Sequence, residues 1–228
     1  MRTSKSFAIY GYQKAFLHGL ACLLLWLSSS CAFADDNDDL IFAVRFDAMD
    51  KVTELLQQGM NVNATEASRG ETLLMIALRE NSKKVFLALL ERKDIKLEAR
   101  ARNGDTVLML ASYLGNLPAV KALLAHDAEV NQVGWCALHY AAAGGNKDIV
   151  ALLLEHSAYI DAESPNKTTP LMMAARSNKE LIVSLLLDEG ADPHLKNELG
   201  LTALDFATEL EQKEIATLLK ERMQALKK

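Results

Sequence analysis

The side chains that could do chemistry are few in this chain of 228 residues, which holds five histidines and three cysteines. They form no Gly-rich phosphate loop, no His-Glu-x-x-His motif, no nucleophile elbow and no cysteine pair at metal-binding spacing. His126 and His156 take matching places after two Leu-Leu pairs, but packed helices would hold them about 10 Å apart, too far for one metal ion. The sequence therefore predicts no catalytic residue, no cofactor and no metal site.

The first 34 residues have the layout of an export signal. Three basic residues and no acid accompany a thirteen-residue apolar run from Ala15 to Leu27, and Ala32 and Ala34 are the small residues that a signal peptidase reads. We expect cleavage before Asp35 and an exported protein, in the periplasm or outside the cell.

Two other interpretations of this segment stay open. The apolar run is shorter than the roughly 20 residues needed to cross a bilayer, which disfavours a stable membrane anchor. Lipid attachment at Cys31 would require an aliphatic residue three positions earlier, where Ser28 stands.

Loss of the segment removes three basic residues, so the net charge would fall from −5 to −8. Nucleic acids and anionic membranes are therefore disfavoured as partners.

An exported chain would keep Cys136 alone, because Cys22 and Cys31 leave with the signal. It could form no internal disulfide, and its stability must come from packing. We expect Cys136 to be a buried, inert thiol, and a redox sensor is the alternative.

A repeat with a period near 33 residues must position whatever site the chain carries. Thr72, Thr106, Cys136, Thr169 and Thr202 begin similar segments and are 34, 30, 33 and 33 residues apart. Each is followed after five residues by an alanine and then by a Leu-Leu pair. A threonine suits the N-cap of a helix, and the apolar residues behind it suit a pair of stacked helices.

This pattern resembles the ankyrin repeat, whose motif is Gly-x-Thr-Pro-Leu-His, small residues, and Leu-Leu-x-x-Gly-Ala. The resemblance implies an all-α solenoid of about six helix-pair units with short hairpin loops, in which neighbouring units bury each other's apolar stripes. It divides the chain into a signal peptide at 1–34, an acidic linker at 35–39, a repeat domain at 40–222 and a tail at 223–228. The predicted units are 40–63, 64–97, 98–130, 131–160, 161–193 and 194–222.

In proteins of this family, partners bind on the concave side, formed by the hairpin tips and the ends of the first helices. The matching residues near the centre of this array are aromatic, aliphatic or basic, and Tyr, Trp and Arg are the types that dominate protein interfaces. We therefore predict a protein-binding surface there. Its residues are Arg79, Arg102, Tyr113, Leu114, Trp135 and Arg176.

The loop before the fourth unit is three residues shorter than the others, and Trp135 lies beside it. Trp135 either folds down to fill the space left by the deletion or stays exposed as an anchor for a partner, and the sequence leaves both open. His139 matches the motif histidine. Because methionine takes its place in three other units, we expect His139 to form hydrogen bonds within the hairpin rather than to catalyse.

The predicted function is a non-catalytic adaptor, accessory protein or inhibitor that binds another protein in the periplasm or extracellular space. Exported bacterial ankyrin proteins suggest, by analogy, an exported enzyme such as a peroxide-detoxifying one, or a toxin, as the partner. The alternative is a repeat protein that organises the cell envelope without one tight partner. The sequons at Asn63 and Asn166 would accept glycans only in a eukaryotic secretory route.

Overall fold

The computed structural model describes residues 37–225, so the predicted signal peptide and Cys31 lie outside the described residues. Over that range the chain forms twelve helices and no strand, arranged as six consecutive pairs that we number units 1 to 6. The predicted all-α class and the six helix pairs are confirmed. The pairs are α1 (37–45) with α2 (Met49–Gln57), α3 (Leu73–Arg79) with α4 (Lys83–Leu90), α5 (Val107–Tyr113) with α6 (Leu117–Ala125), α7 (Ala137–Gly144) with α8 (Lys147–Glu155), α9 (Pro170–Arg176) with α10 (Glu180–Asp188), and α11 (Ala203–Glu209) with α12 (Lys213–Ala225).

The first helix of most units begins where the sequence predicts it. In unit 5 the extended residue Thr169 is the N-cap, its hydroxyl accepts a hydrogen bond from the Met172 amide, and Pro170 opens the helix. Thr72, Thr106 and Thr202 cap α3, α5 and α11 in the same way. A short polar residue before an apolar run therefore sets each of these helix starts.

Each turn between the two helices of a unit contains one residue with a left-handed backbone. Glycine, asparagine and aspartate accept this conformation most readily, and they supply five of the six positions. Glu211 in unit 6 is the exception. The six residues are Asp47, Asn81, Gly115, Gly145, Asn178 and Glu211.

Neighbouring units share one apolar core. From α3 onward each first helix packs on the first helix of the next unit, and most neighbouring second helices also pack on one another. The core is rich in leucine and alanine, with Leu73, Leu108 and Leu138 fully buried in successive units.

A ladder of polar side chains joins successive loops below the hairpin tips. Asn63, Glu98, Asn131 and Asp161 each accept a hydrogen bond from a backbone amide 28 to 33 residues later, at 2.8 to 3.2 Å. The two asparagines also donate to the carbonyl two residues before that amide, whereas an ionised carboxylate has no such donor. The amide nitrogen of Asn63, a predicted sequon residue, is therefore hydrogen-bonded to Asp94.

In the structure, helices extend beyond both ends of the predicted repeat domain. Residues 37–39 were expected to belong to an acidic linker, but they are helical and continue into α1, because Leu40, Ile41 and Val44 bury one side of that helix. At the other end α12 runs to Ala225, into the predicted tail, because Ile215, Ala216 and Leu219 hold its first half in the core.

Candidate functional site

The hairpin loops of four units are closed by a backbone hydrogen bond, and the loop of unit 4 is not. In units 2, 3, 5 and 6 an amide donates to the carbonyl four or five residues later, at 2.9 to 3.1 Å. The shortened loop between Asn131 and Cys136 contains no such bond in the described structure. The deletion predicted from the sequence therefore removes the closure of this hairpin.

The loop tips of neighbouring units are also joined by backbone hydrogen bonds, except around unit 4. The Arg102 amide donates to the Arg69 carbonyl at 2.9 Å, and the Glu198 amide donates to the Asn166 carbonyl at 3.0 Å. No equivalent bond joins unit 4 to unit 3 or unit 5 within the described residues. Pro165 holds the matching donor position in unit 5, and proline has no N–H to donate.

A cavity of about 130 Å³ lies at this interruption, and we call it the unit 4 notch. Aromatic, aliphatic and charged groups from three units line it, which is the mixture that protein-binding sites use. Val133, at the tip of the short loop, is 96% exposed. The lining residues are Arg100, Asn103, Gly104, Asp105, Val133, Gly134, Trp135, Tyr140 and Pro165.

The structure gives Trp135 a state between the two that the sequence left open, namely folded down into the gap or exposed to a partner. It is partly buried, and its ring meets the His139 ring edge-on, with centroids 5.2 Å apart. It also forms one wall of the notch. Trp135 therefore covers the end of α7 and still presents part of its surface to a partner.

His139 is fully buried and holds unit 4 to unit 5. Its Nε2 lies 2.8 Å from the Thr168 carbonyl, and its Nδ1 lies 3.3 Å from the Cys136 amide. Because a carbonyl accepts and an amide donates, the proton belongs on Nε2. Burial lowers the pKa of His139, which keeps the ring neutral. The predicted bond within the hairpin is present, and the bond to the next unit is additional.

Cys136 is buried, as predicted, and takes the N-cap position of α7 in place of a threonine. Its Sγ lies 3.1 Å from Nδ1 of His139. Burial raises the pKa of the thiol, so the reactive thiolate is disfavoured.

Tyr140 is the site residue that the sequence analysis missed. Its hydroxyl donates a short hydrogen bond to the Asp105 carboxylate of unit 3, and its ring meets Tyr113 edge-on with centroids 6.5 Å apart. Burial, followed by the bond to Asp105, raises the pKa of Tyr140, so the hydroxyl stays a donor. The sequence signal that could have identified Tyr140 is an aromatic residue directly after the motif histidine.

The structure brings two predicted residues close to the notch. Tyr113, which is 55% exposed, meets Tyr140 edge-on, and Tyr140 and Trp135 line the notch. Leu114 is 45% exposed, but it faces a separate groove at the helix turns.

The predicted arginines contribute less free positive charge than the sequence indicated. Arg79 pairs with the buried carboxylate of Glu71, with Nη2 and Oε1 2.6 Å apart. Arg102 donates to the Ser68 carbonyl at 3.1 Å. Arg176 is exposed and forms no ion pair within residues 37–225. The centre of the surface is therefore aromatic, and the basic residues lie around it.

No group of three or more histidines, cysteines or acids in the described part of the chain could hold a metal ion. His126 and His156, the two histidines at matching positions, are the C-caps of α6 and α8. Nδ1 of His126 contacts the Ala122 carbonyl of its own helix. None of the helices between residues 37 and 225 has the length and apolar character that a membrane span needs.

The comparisons with known proteins agree with this architecture. A family model described as ankyrin repeats (3 copies) matches residues 93–164 and 160–227. The chain therefore belongs to the ankyrin-repeat family.

Similar solved structures include an ankyrin repeat domain from Acinetobacter baumannii AYE, with 28% identity and a TM-score of 0.67 over 80% of this chain and 96% of that one. The human ASB11 ankyrin repeat domain has 26% identity and a TM-score of 0.69, over 80% of this chain and 82% of that one.

Curated relatives share the repeats within much longer proteins. Neurogenic locus notch homolog protein 1 of Xenopus tropicalis is 35% identical over 138 residues, which are 59% of this chain and 5% of that protein. The nuclear factor NF-kappa-B p105 subunit of Gallus gallus is 31% identical over 153 residues, 64% of this chain and 16% of that protein. The chain thus spans a small part of these relatives.

Proposed function

We propose that this protein is a non-catalytic, exported adaptor, accessory protein or inhibitor, and that it binds another protein through the unit 4 notch and Tyr113. Ankyrin repeats typically mediate protein binding, and the described residues form an array of such helix pairs. The proposal assigns the binding energy to the aromatic centre, because large rigid side chains dominate interface energetics.

One observation carries the proposal: the tip ladder is interrupted on both sides of unit 4. Unit 4 gives up a hairpin closure and two tip contacts that other units have, and Trp135, Tyr140 and Asp105 surround the cavity that results. Natural sequences break a local structural rule mostly at functional sites. A partner side chain that entered the notch would contact three units at once.

Export is the second part of the proposal, and the sequence supports it. Residues 1–34 have a basic start, an apolar run and small residues before Asp35. N-terminal sequencing of the protein from its native host should begin at Asp35, and fractionation should recover it from the periplasm or medium. A full-length N-terminus in the cytoplasmic fraction would contradict export.

Site-specific crosslinking tests the binding surface. A photo-crosslinking amino acid at Tyr113 should capture one discrete partner in the native host. The matched control is the same amino acid at Tyr159, which is more exposed, at 68% against 55%, but neither lines the notch nor meets the ring of Tyr140.

Tyr113→Ala should weaken the affinity for the captured partner at least about tenfold, the loss expected for a central aromatic anchor, and Tyr159→Ala should change it by less than about twofold. Equal capture from both positions, or an unchanged affinity of Tyr113→Ala, would contradict the proposal.

A further inference from the structure

A second recess lies at the helix turns of units 2 and 3, away from the hairpin tips. This turn-edge groove has a volume of about 460 Å³, within the range of ligand-sized pockets. Most of its lining is apolar, and Leu87 and Leu114 on its walls are 54% and 45% exposed. Leu78, Phe86 and Pro118 complete the apolar walls.

The groove lies between units 2 and 3. α4 contributes Lys83, Phe86 and Leu87, and α6 contributes Pro118 and Ala119. Leu87 of α4 and Leu114, which follows α5, stay largely exposed on its walls. Apolar side chains from outside the chain could therefore bury surface that the fold leaves in water.

The charge of the groove indicates what would enter it. Its lining contains no aspartate or glutamate, and Lys83 is its only charged residue. Lys83 is exposed and forms no ion pair in the described part of the chain. Lys83 is therefore the one charged side chain that a ligand in the groove would meet.

We propose that the turn-edge groove is a second docking site, for an amphipathic segment of a partner protein that carries apolar side chains and a carboxylate. The apolar side chains fill the groove against Leu87 and Leu114, and the carboxylate pairs with Lys83. This arrangement matches the way amphipathic helices bind apolar grooves. The site is independent of the unit 4 notch, so either proposal can fail alone.

Two designed peptides test this site on the full chain. One presents leucines on one helical face and glutamates on the other, and the second replaces every glutamate with lysine. Because the protein is acidic overall, long-range electrostatics favours the lysine peptide. A fluorescence-anisotropy titration near physiological salt should nevertheless give tighter binding of the glutamate peptide.

Three variants locate the binding. Lys83→Glu should weaken binding of the glutamate peptide by about threefold to tenfold, the range for losing and reversing an exposed ion pair. Leu87→Glu should weaken it at least about tenfold by placing a charge in the apolar wall. The matched control is Leu181→Glu, the same change at a leucine that is 74% exposed on α10, and it should bind like the unaltered chain.

Equal or tighter binding of the lysine peptide, an unchanged affinity of Leu87→Glu, or no binding up to about 1 mM peptide would overturn this assignment. Partner capture through Tyr113 reports on the unit 4 notch separately. Circular dichroism of each variant establishes that a lost affinity does not reflect a lost fold.

Discussion

Units 4 and 5 build the same pair of helices with different hydrogen bonds. In unit 5 the Ser164 amide closes the loop onto the Thr168 carbonyl, and Thr169 caps the first helix. In unit 4 the loop has no closing bond, and Cys136 takes the place of the capping threonine. Instead, His139 reaches from α7 to Thr168 in the next unit.

This difference shows that a unit can exchange local bonds for bonds to its neighbour. Unit 5 is stabilised within its own loop, whereas unit 4 adds a hydrogen bond from one buried imidazole to the packing of α7 on α9. The exchange leaves a cavity at the loop tips, where a regular hairpin would have filled the space. The same feature that weakens the local structure therefore creates the candidate binding site.

The largest expected effect comes from breaking the link between the two units. His139→Ala should lower the free energy of unfolding by about 2–4 kcal/mol, because it opens a cavity, leaves the buried Cys136 amide without a partner and removes one of the two donors to the Thr168 carbonyl, which keeps the Ser164 amide. Chemical denaturation measures this loss. The exposed His156→Ala is the control and should change stability by less than about 0.5 kcal/mol. A loss below about 1 kcal/mol for His139→Ala would show that the link matters little.

The second-largest loss of stability is expected where α7 comes closest to α5. A Cβ on Gly144 would lie 2.7 Å from the Tyr113 carbonyl oxygen, so Gly144→Ala should cost about 1–3 kcal/mol and displace Tyr113. Ser177→Ala, at the same place in unit 5, should be nearly neutral. Thermal unfolding and the affinity for the partner should both change for Gly144→Ala, and an unaltered Tm would contradict the close packing.

The smallest effect tests the ladder between successive loops. Here the substitution is expected to stabilise the protein. Asn131 in unit 4 both accepts and donates, whereas Asp161 in unit 5 only accepts from the Asp192 amide. Asp161→Asn should add a donor for the carbonyl of Gly190 and stabilise the protein by about 1 kcal/mol at pH 7.

The gain of Asp161→Asn should depend on pH. Burial, and then the charge of Asp192, raise the pKa of Asp161 above its ordinary 3.8. A raised carboxyl pKa means that the ionised form costs stability, and that this cost disappears as the pH falls through the raised pKa toward 3.8. The difference in free energy of unfolding between Asp161→Asn and the unaltered chain should therefore become smaller from pH 7 to about pH 4. A difference that widens at low pH would contradict this assignment.

The sequence predicted the regular features because each has a local cause. Thr169 and Pro170 mark a helix start by themselves, and the period of the Leu-Leu pairs predicts the stacking. The short loop of unit 4 could also be read directly, by counting residues from Asn131 to Gly134. The left-handed turn residues have the same period but were missed, since aspartate, asparagine, glycine and glutamate share that place.

The site itself depends on contacts between units, which sequence spacing does not reveal. Tyr140 and Asp105 are 35 residues apart and meet only because α7 packs on α5. Arg79 was predicted as a binding residue, but its pairing with Glu71 arises from the way the unit 2 loop folds over α3. Likewise, the turn-edge groove is lined by residues of α4 and α6 and of the turns before them, which only the stacking of units 2 and 3 brings together.

Restoring the missing loop tests the central claim most directly. Inserting Ala-Arg-Ala between Asn131 and Gln132 gives unit 4 the loop length and the sequence of residues 99–101 in unit 3. The same insertion beside Leu199, at the exposed tip of unit 6, is the control. Affinity for the partner captured through Tyr113 should fall at least about tenfold in the unit 4 insertion and stay unchanged in the control, with both variants folded. Full affinity in the unit 4 insertion would show that the interrupted ladder is not the recognition site.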